Sequence, residues 1–225
     1  SALFSGASLA SLSPKVKVFR SRQQEPHIRV RIADSLSQVT VSGTDLERFF
    51  YPQETRKRFS GRKRIRFKCS ALKGASERSN KLLLASVESP TGLISLGQQK
   101  YRGEIHVVAN ARERACDVVN EVGLEHYLSG LLSKEMNAVW PLEALKAQAV
   151  AARTYALYKM KKKNRDLFDG VSPQSGHFDL ENSERHQVSG TFFDSTVKTD
   201  QATMHTRGEV LVSKNGKMTP VFYHA

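Results

Sequence analysis

Glu135 closes the run LEHYLSGLLSKE, beside Met136 and shortly before Trp140-Pro141. A carboxyl group with apolar and aromatic neighbours is poorly solvated, which favours its protonated form and suits it to donate a proton. A glutamate at a helix terminus needs no such role, and the local residues leave both readings open. His177, Glu181 and His186 lie in and around FDLENSER. Their side chains are types that zinc accepts, but the spacing is loose beside a helix-borne HExxH. His205 and His224 follow on candidate strands, while His106 and His126 sit singly and read as structural. GxSxG, a P-loop, GxGxxG after a strand and paired CxxC are all absent from the sequence. Cys69 and Cys116 have no metal-ligand spacing; they can pair in an oxidising compartment or stay as buried thiols.

Two helices must position Glu135. From Gly123, the residues Leu124, Tyr127, Leu128, Leu131 and Leu132 recur at helical spacing. A second helix starts at Pro141, a residue suited to a first helical position. It sets Leu142, Leu145, Ala149, Ala152 and Ala156 on one face, and its alanines permit close packing. It ends in the basic KMKKKNR, where cations suit the helix dipole.

Before these helices, residues 15–122 read as β. Ile28, Val30 and Ile32 alternate with arginines, and Val39 with Val41 repeats the pattern. Further short strands are expected at Ile65–Phe67, Leu82–Val87, Leu93–Leu96, Ile105–Val108 and Cys116–Val119. Residues 166–200 read as polar loop. A hairpin with its turn at Asn215-Gly216 joins Glu209–Val212 to Met218–Tyr223. The fold class is therefore α+β: a β-rich N-terminal part, two central helices, then loop and strands.

The 225 residues allow one large domain or two small ones, with 39% hydrophobic and 25% charged residues, as in a folded chain. No apolar run is long enough for a spanning helix. The net charge of +13 favours polyanionic partners: nucleic acid, anionic head groups or an acidic cell wall. Arg56 to Lys68 holds eight Lys or Arg in thirteen positions, with Phe59 and Phe67 interleaved. That run is either a polyanion-binding stripe or an exposed loop entering a strand with a solvated arginine face. The second reading is simpler, because outward arginines need no ligand. Nucleic-acid binding rests on charge alone, without an RNP, helix-turn-helix or zinc-finger motif, and is not expected.

The chain resembles the SpoIID/LytB domain, named for stage II sporulation protein D and an amidase enhancer. The likeness starts with IRVRIA near Ile28, includes Tyr101-Arg102-Gly103 and VVNEVGLEHYLSGLLSKEM, and is strongest in WPLEALKAQAVAARTYA, Trp140 to Ala156. It continues through FDLENSERHQVSG, TRGEVL and VFYHA. It implies an N-terminal extension over 1–26 and one domain over 27–225, divided as β-rich 27–122, helical 123–165, and loop and strands 166–225. The family's Gly-rich segment after YHA does not follow Ala225, so the resemblance also implies a shortened C-terminus.

The resemblance further implies a lytic transglycosylase, which cuts peptidoglycan between muramic acid and glucosamine and leaves an anhydromuramyl end. Glu135, in the family's Glu-Met motif, is then the catalytic acid. Lys146, Gln148, Arg153 and Tyr155 belong to the signature helix, and Gln148, Arg153 and Tyr155 are candidates to orient Glu135 or grip the sugar. Some members carry a Cys/His zinc cluster, but here Glu181 and His186 stand at its cysteine positions and Ser189 replaces a usual Tyr. No zinc or other cofactor is expected on this pattern, and His177, Glu181 and His186 remain weak metal candidates. The implied location is the cell envelope or periplasm, with any export signal upstream. The alternative within the family is a glycan-binding enhancer of a cell-wall amidase that does not itself cut.

Overall fold

The computed structural model describes residues 15–18, 25–69, 81–110, 114–137, 139–168, 177–181 and 194–218. Within them the alternating segments assemble into a nine-stranded sheet. Its strands are β2 (His27–Leu36), β3 (Gln38–Phe50), β4 (Thr55–Lys68), β5 (Lys81–Glu88), β6 (Leu93–Leu96), β7 (Gln99–Arg102), β8 (Glu104–Asn110), β9 (Ala115–Gly123) and the short β10 (Leu180–Glu181). The order is β10-β2-β9-β8-β5-β3-β6-β7, with β4 along the other side of β3. Only β10 runs parallel to its neighbour, β2. A separate antiparallel pair joins β1 (Lys15–Val18) to β11 (Glu209–Val212).

Alternation puts one row of each strand into a core. Val39, Val41, Leu46, Ile65, Leu84, Val87, Ile94, Ile105, Val107 and Val118 form the main cluster of the sheet. Each such side chain contributes ~1.5–3 kcal/mol when fully buried. At the β7–β8 turn, Gly103 has φ +81°, and a Cβ there would lie 2.1 Å from the Glu121 carbonyl oxygen. Only glycine meets both demands, so the Tyr-Arg-Gly segment has a backbone reason for its last residue.

Three helices complete the α+β fold: α1 (Leu124–Glu135), α2 (Leu142–Phe168) and α3 (Val197–His205). The first two match the expected positions. Pro141 stands just outside α2 rather than within it, and its carbonyl accepts the first bonds, from Ala144 and Leu145. The buried face of α2 includes Leu145, Ala149, Ala152 and Ala156, all fully enclosed, with Leu142 partly so. Among them, Ala152 and Ala156 pack with Leu128 and Leu131 of α1 and with Ile28 and Val30 of the sheet.

Several expectations are corrected. Residues 197–200, read as loop, and His205, placed on a candidate strand, both belong to α3. The basic run is not a loop: β4 extends continuously from Thr55 and pairs with β3 along its length, with a register shift between Thr44 and Leu46. Helix α2 also runs three residues past its expected end at Arg165. The Asn215-Gly216 turn is present, closed by a Val212–Met218 bridge; residues 219–225, with His224, lie outside the described set. Of the two readings of the cysteines, the disulfide holds: Cys69 joins Cys116 at a Cα separation of 5.6 Å, tying the end of β4 to β9.

Candidate functional site

Glu135 is the last residue of α1, and the chain turns extended at Met136, whose amide caps back to the Leu132 carbonyl. The carboxyl group is half-buried. Beneath it Leu132, Leu145, Ala149 and Ala202 form a small apolar cluster, with Met136 and Leu142 against it. That cluster draws on all three helices, so the position of Glu135 depends on their mutual packing.

Gln148 approaches from α2. Its Nε2 donates to Glu135 Oε2 at 3.3 Å, which orients the carboxyl plane. Met136 leads into a turn in which the Trp140 amide donates to the Asn137 carbonyl. This turn presents two large apolar side chains to solvent: Val139 is 78% exposed and Trp140 51%. On the facing helix Val197 is 76% exposed, and Lys198 Nζ reaches the Val139 carbonyl at 3.2 Å. The sequence contained the signal for this rim, since Trp140 is the only tryptophan and abuts Pro141. Its openness could not be read there.

Hydroxyl groups lock α1 to α3. Ser129 donates to Asp200 at 2.6 Å and to Thr199 at 3.0 Å, and Ser133 donates to Thr199 at 3.2 Å. Thr199 also closes a reciprocal cap with Thr196 at the start of α3. One residue before Glu135, Lys134 pairs with Asp194 at 3.0 Å. The negative charge of Asp194 adds to burial in pushing the Tyr101 phenol above its ordinary range, burial being the larger cause.

The other residues expected in the site divide differently. Arg153 is 1% exposed. Its guanidinium donates twice to Glu125, at 3.0 and 2.6 Å, and also to the Thr203 carbonyl, Thr206 and the Glu209 carbonyl. It therefore joins α1, α2, α3 and β11 and has no open face toward a sugar. Thr154 extends the same function by accepting from the Leu211 amide at 2.8 Å. Tyr155 is buried, and burial raises its phenol pKa. Lys146 forms an ion pair with Glu143 one turn back, at 2.7 Å. Of the four helix residues, Gln148 is the one that donates a hydrogen bond to Glu135 in the geometry described above.

His177 and Glu181 lie on the short segment that docks beside β2. There Asp179 is clasped by Arg29 through its backbone amide, Nε and Nη2, while Arg31 Nη2 binds Glu181 Oε1 at 2.7 Å. The Glu181 carboxylate is thus taken up by an arginine, and among the described residues no three His, Cys, Asp or Glu side chains assemble as a metal cage. His186 lies outside the described residues. No chemistry is assigned to a metal. A separate open cleft on the sheet is lined by Glu47, Phe49, Tyr51, Arg56, Ser86, Glu88 and Glu104, and shares no residue with the Glu135 site.

No helix among the described residues is long and apolar enough to cross a membrane. Residues 112–212 match the family profile described as Stage II sporulation protein. An uncharacterised protein of Brachyspira hyodysenteriae is 41% identical over 108 residues, covering 48% of this chain and 27% of its own length. The amidase enhancer of Bacillus subtilis is 41% identical over 71 residues, 32% of this chain and 10% of the enhancer. Stage II sporulation protein D of Bacillus subtilis is 28% identical over 158 residues, 67% of this chain and 43% of that protein. The chain thus spans less than half the length of each of these relatives. The matched residues 112–212 carry Glu135, Gln148 and the Arg153 clamp, so the similarity to the stage II sporulation protein (SpoIID) family rests on the part of the chain that holds this site.

Proposed function

We propose that this chain is a lytic transglycosylase of peptidoglycan, with Glu135 as its general acid and base. The observation that carries this reading is the placement of Glu135. It is a half-buried carboxyl group at a helix end, oriented by Gln148, beside an exposed Trp140 on the next turn. An exposed indole suits the apolar face of a sugar ring.

One carboxyl group suffices for this reaction. Hydrolytic glycosidases usually employ two, since water or an enzyme nucleophile must attack the anomeric carbon. Here the C6 hydroxyl of the muramyl residue attacks, and it is already held close to the reacting carbon. Glu135 gives its proton to the leaving glycosidic oxygen as the C1–oxygen bond breaks. The resulting carboxylate takes the C6 hydroxyl proton as the C1–O6 bond forms. The products are a glucosamine 4-hydroxyl and a 1,6-anhydromuramyl end, and the acid is regenerated.

A place outside the cytoplasm fits the Cys69–Cys116 disulfide, because such bonds persist in oxidising compartments. The +13 charge suits a wall rich in carboxylates and phosphates.

A second reading is a glycan-binding enhancer of a cell-wall amidase. The similarity to a protein named amidase enhancer and the exposed Val139, Trp140 and Val197 favour it. Digestion of purified peptidoglycan, with and without stem peptides, followed by mass analysis of the ends separates the readings. Anhydromuramyl ends support the transglycosylase. Reducing ends mean that water is the nucleophile. Binding without cutting, together with stimulation of an added amidase, selects the enhancer.

A further inference from the structure

The fold sorts the basic run into two unlike groups. Near its start, Arg56 and Arg58 are both bound by Glu47 across the β3–β4 ladder. Further along, the register sets Arg62, Arg64, Arg66 and Lys68 opposite Thr44, Ser42, Thr40 and Gln38. Every cross-strand neighbour is neutral. All four cations are exposed, while Ile65 and Phe67, on the alternate row, are buried. None of the four side chains has an ion pair or hydrogen bond among the described residues. Among the described residues β4 pairs with β3 alone, so the row lies open along the side of the sheet.

Alternate residues of a strand are ~6.8 Å apart. Successive phosphates of a chain built from three-carbon polyols are separated by six backbone bonds. That is twice the three bonds of a peptide residue, whose reach is ~3.3–3.6 Å, so the phosphates repeat at about 7 Å when extended. The two periods match. The hydroxyls of Thr40, Ser42 and Thr44 run alongside the cations and can donate to phosphate oxygens, and three of the four cations are arginines able to bind phosphate in a fork.

We propose that this face of β3 and β4 binds a linear phosphodiester polymer without bases, a poly(polyol phosphate), laid along β4. Bases would need aromatic platforms. The aromatic residues of β4 offer none: Phe67 is 5% exposed, and Phe59 lies under Arg48 and Lys57. Some charge on an edge strand also prevents pairing with another copy. One or two lysines do that, whereas this row carries four cations in phase and no carboxylate opposite them. The site is independent of Glu135 and of the reaction proposed there.

The test is titration of the chain with a synthetic poly(glycerol phosphate) oligomer, comparing two variants that each remove four charges. One is Arg62→Thr/Arg64→Thr/Arg66→Thr/Lys68→Thr; the other is Lys161→Thr/Lys162→Thr/Lys214→Thr/Lys217→Thr. At about 0.1 M salt the first should lose roughly tenfold or more in affinity and the second less than about threefold, with wild-type affinity falling as salt rises. Thermal unfolding checks that both are folded. If the first is not, Arg64→Thr/Arg66→Thr should still lose roughly threefold. Equal losses from both variants would show bulk charge alone and overturn the proposal. Equal or tighter binding of a single-stranded oligonucleotide of the same charge, or of phosphatidylglycerol vesicles, would overturn it too.

Discussion

Helix α1 carries a glutamate at each end, and the two have opposite surroundings. Glu125, in the first turn, is buried and clasped by two nitrogens of Arg153, while its backbone amide is capped by Glu25. Glu135, the last residue, is half-exposed, beside a turn with open apolar side chains, and meets the neutral amide of Gln148. The same two helices supply both arrangements. A carboxylate locked to an arginine is poor at exchanging protons with a substrate; one oriented by an amide at an open rim is suited to it. The motif helix therefore mixes two functions. Arg153 and Thr154 hold the helices and β11 together, and Gln148 orients the Glu135 carboxyl group.

The largest effect should come from breaking the buried pair. Arg153→Ala leaves Glu125 as an uncompensated buried charge, a change that costs about 3–5 kcal/mol. Urea unfolding measures it. The double variant Glu125→Met/Arg153→Met should recover much of that loss, since well-packed apolar groups can replace a buried ion pair. If Arg153→Ala is stable and merely weakens glycan binding, the clamp is a sugar site and the contrast between the two glutamates collapses.

Next is the disulfide. Cys69→Ala/Cys116→Ala should lower stability by about 2–4 kcal/mol, because the bond closes a long loop. Cleavage per folded molecule should not change, since the bond lies in the sheet, away from α1. A parallel loss of activity would link the two regions.

The smallest effect sharpens the contrast. Gln148→Ala should reduce kcat by roughly tenfold, the worth of a hydrogen bond to a charged group, with KM and unfolding unchanged. A change in stability without a kcat effect would make Gln148 another fold residue rather than a positioning one.

Much of this organisation was legible in the sequence. The apolar spacing of α1 and α2 is strong, and the strands with one buried row showed clean alternation. What failed did so for physical reasons. Helix α3 buries Thr199, Ala202 and Thr203, so its inward face is mostly polar and gives no apolar period. Its cap uses Thr at the third position rather than the usual Glu or Gln. The first half of β4 has arginines and lysines on both faces, and a register shift interrupts its alternation. Arg153 looks like a surface cation in an Ala-rich helix until its partner, 28 residues earlier, is brought beside it. Glu135 and Gln148 were identifiable from the family resemblance, but their contact depends on how α1 meets α2. The exposure of Trp140 likewise appears only once the turn is folded.

The most direct measurement is the rate at which Glu135→Gln releases anhydromuramyl products from peptidoglycan, with its unfolding curve recorded alongside. The amide is nearly isosteric, so the fold should remain. It cannot donate the proton that the leaving oxygen needs, and general acid catalysis is worth ~10²–10⁴-fold, so cleavage should fall by at least that factor. A Glu135→Gln protein that is folded and cuts at the wild-type rate would contradict the account and place the acid elsewhere.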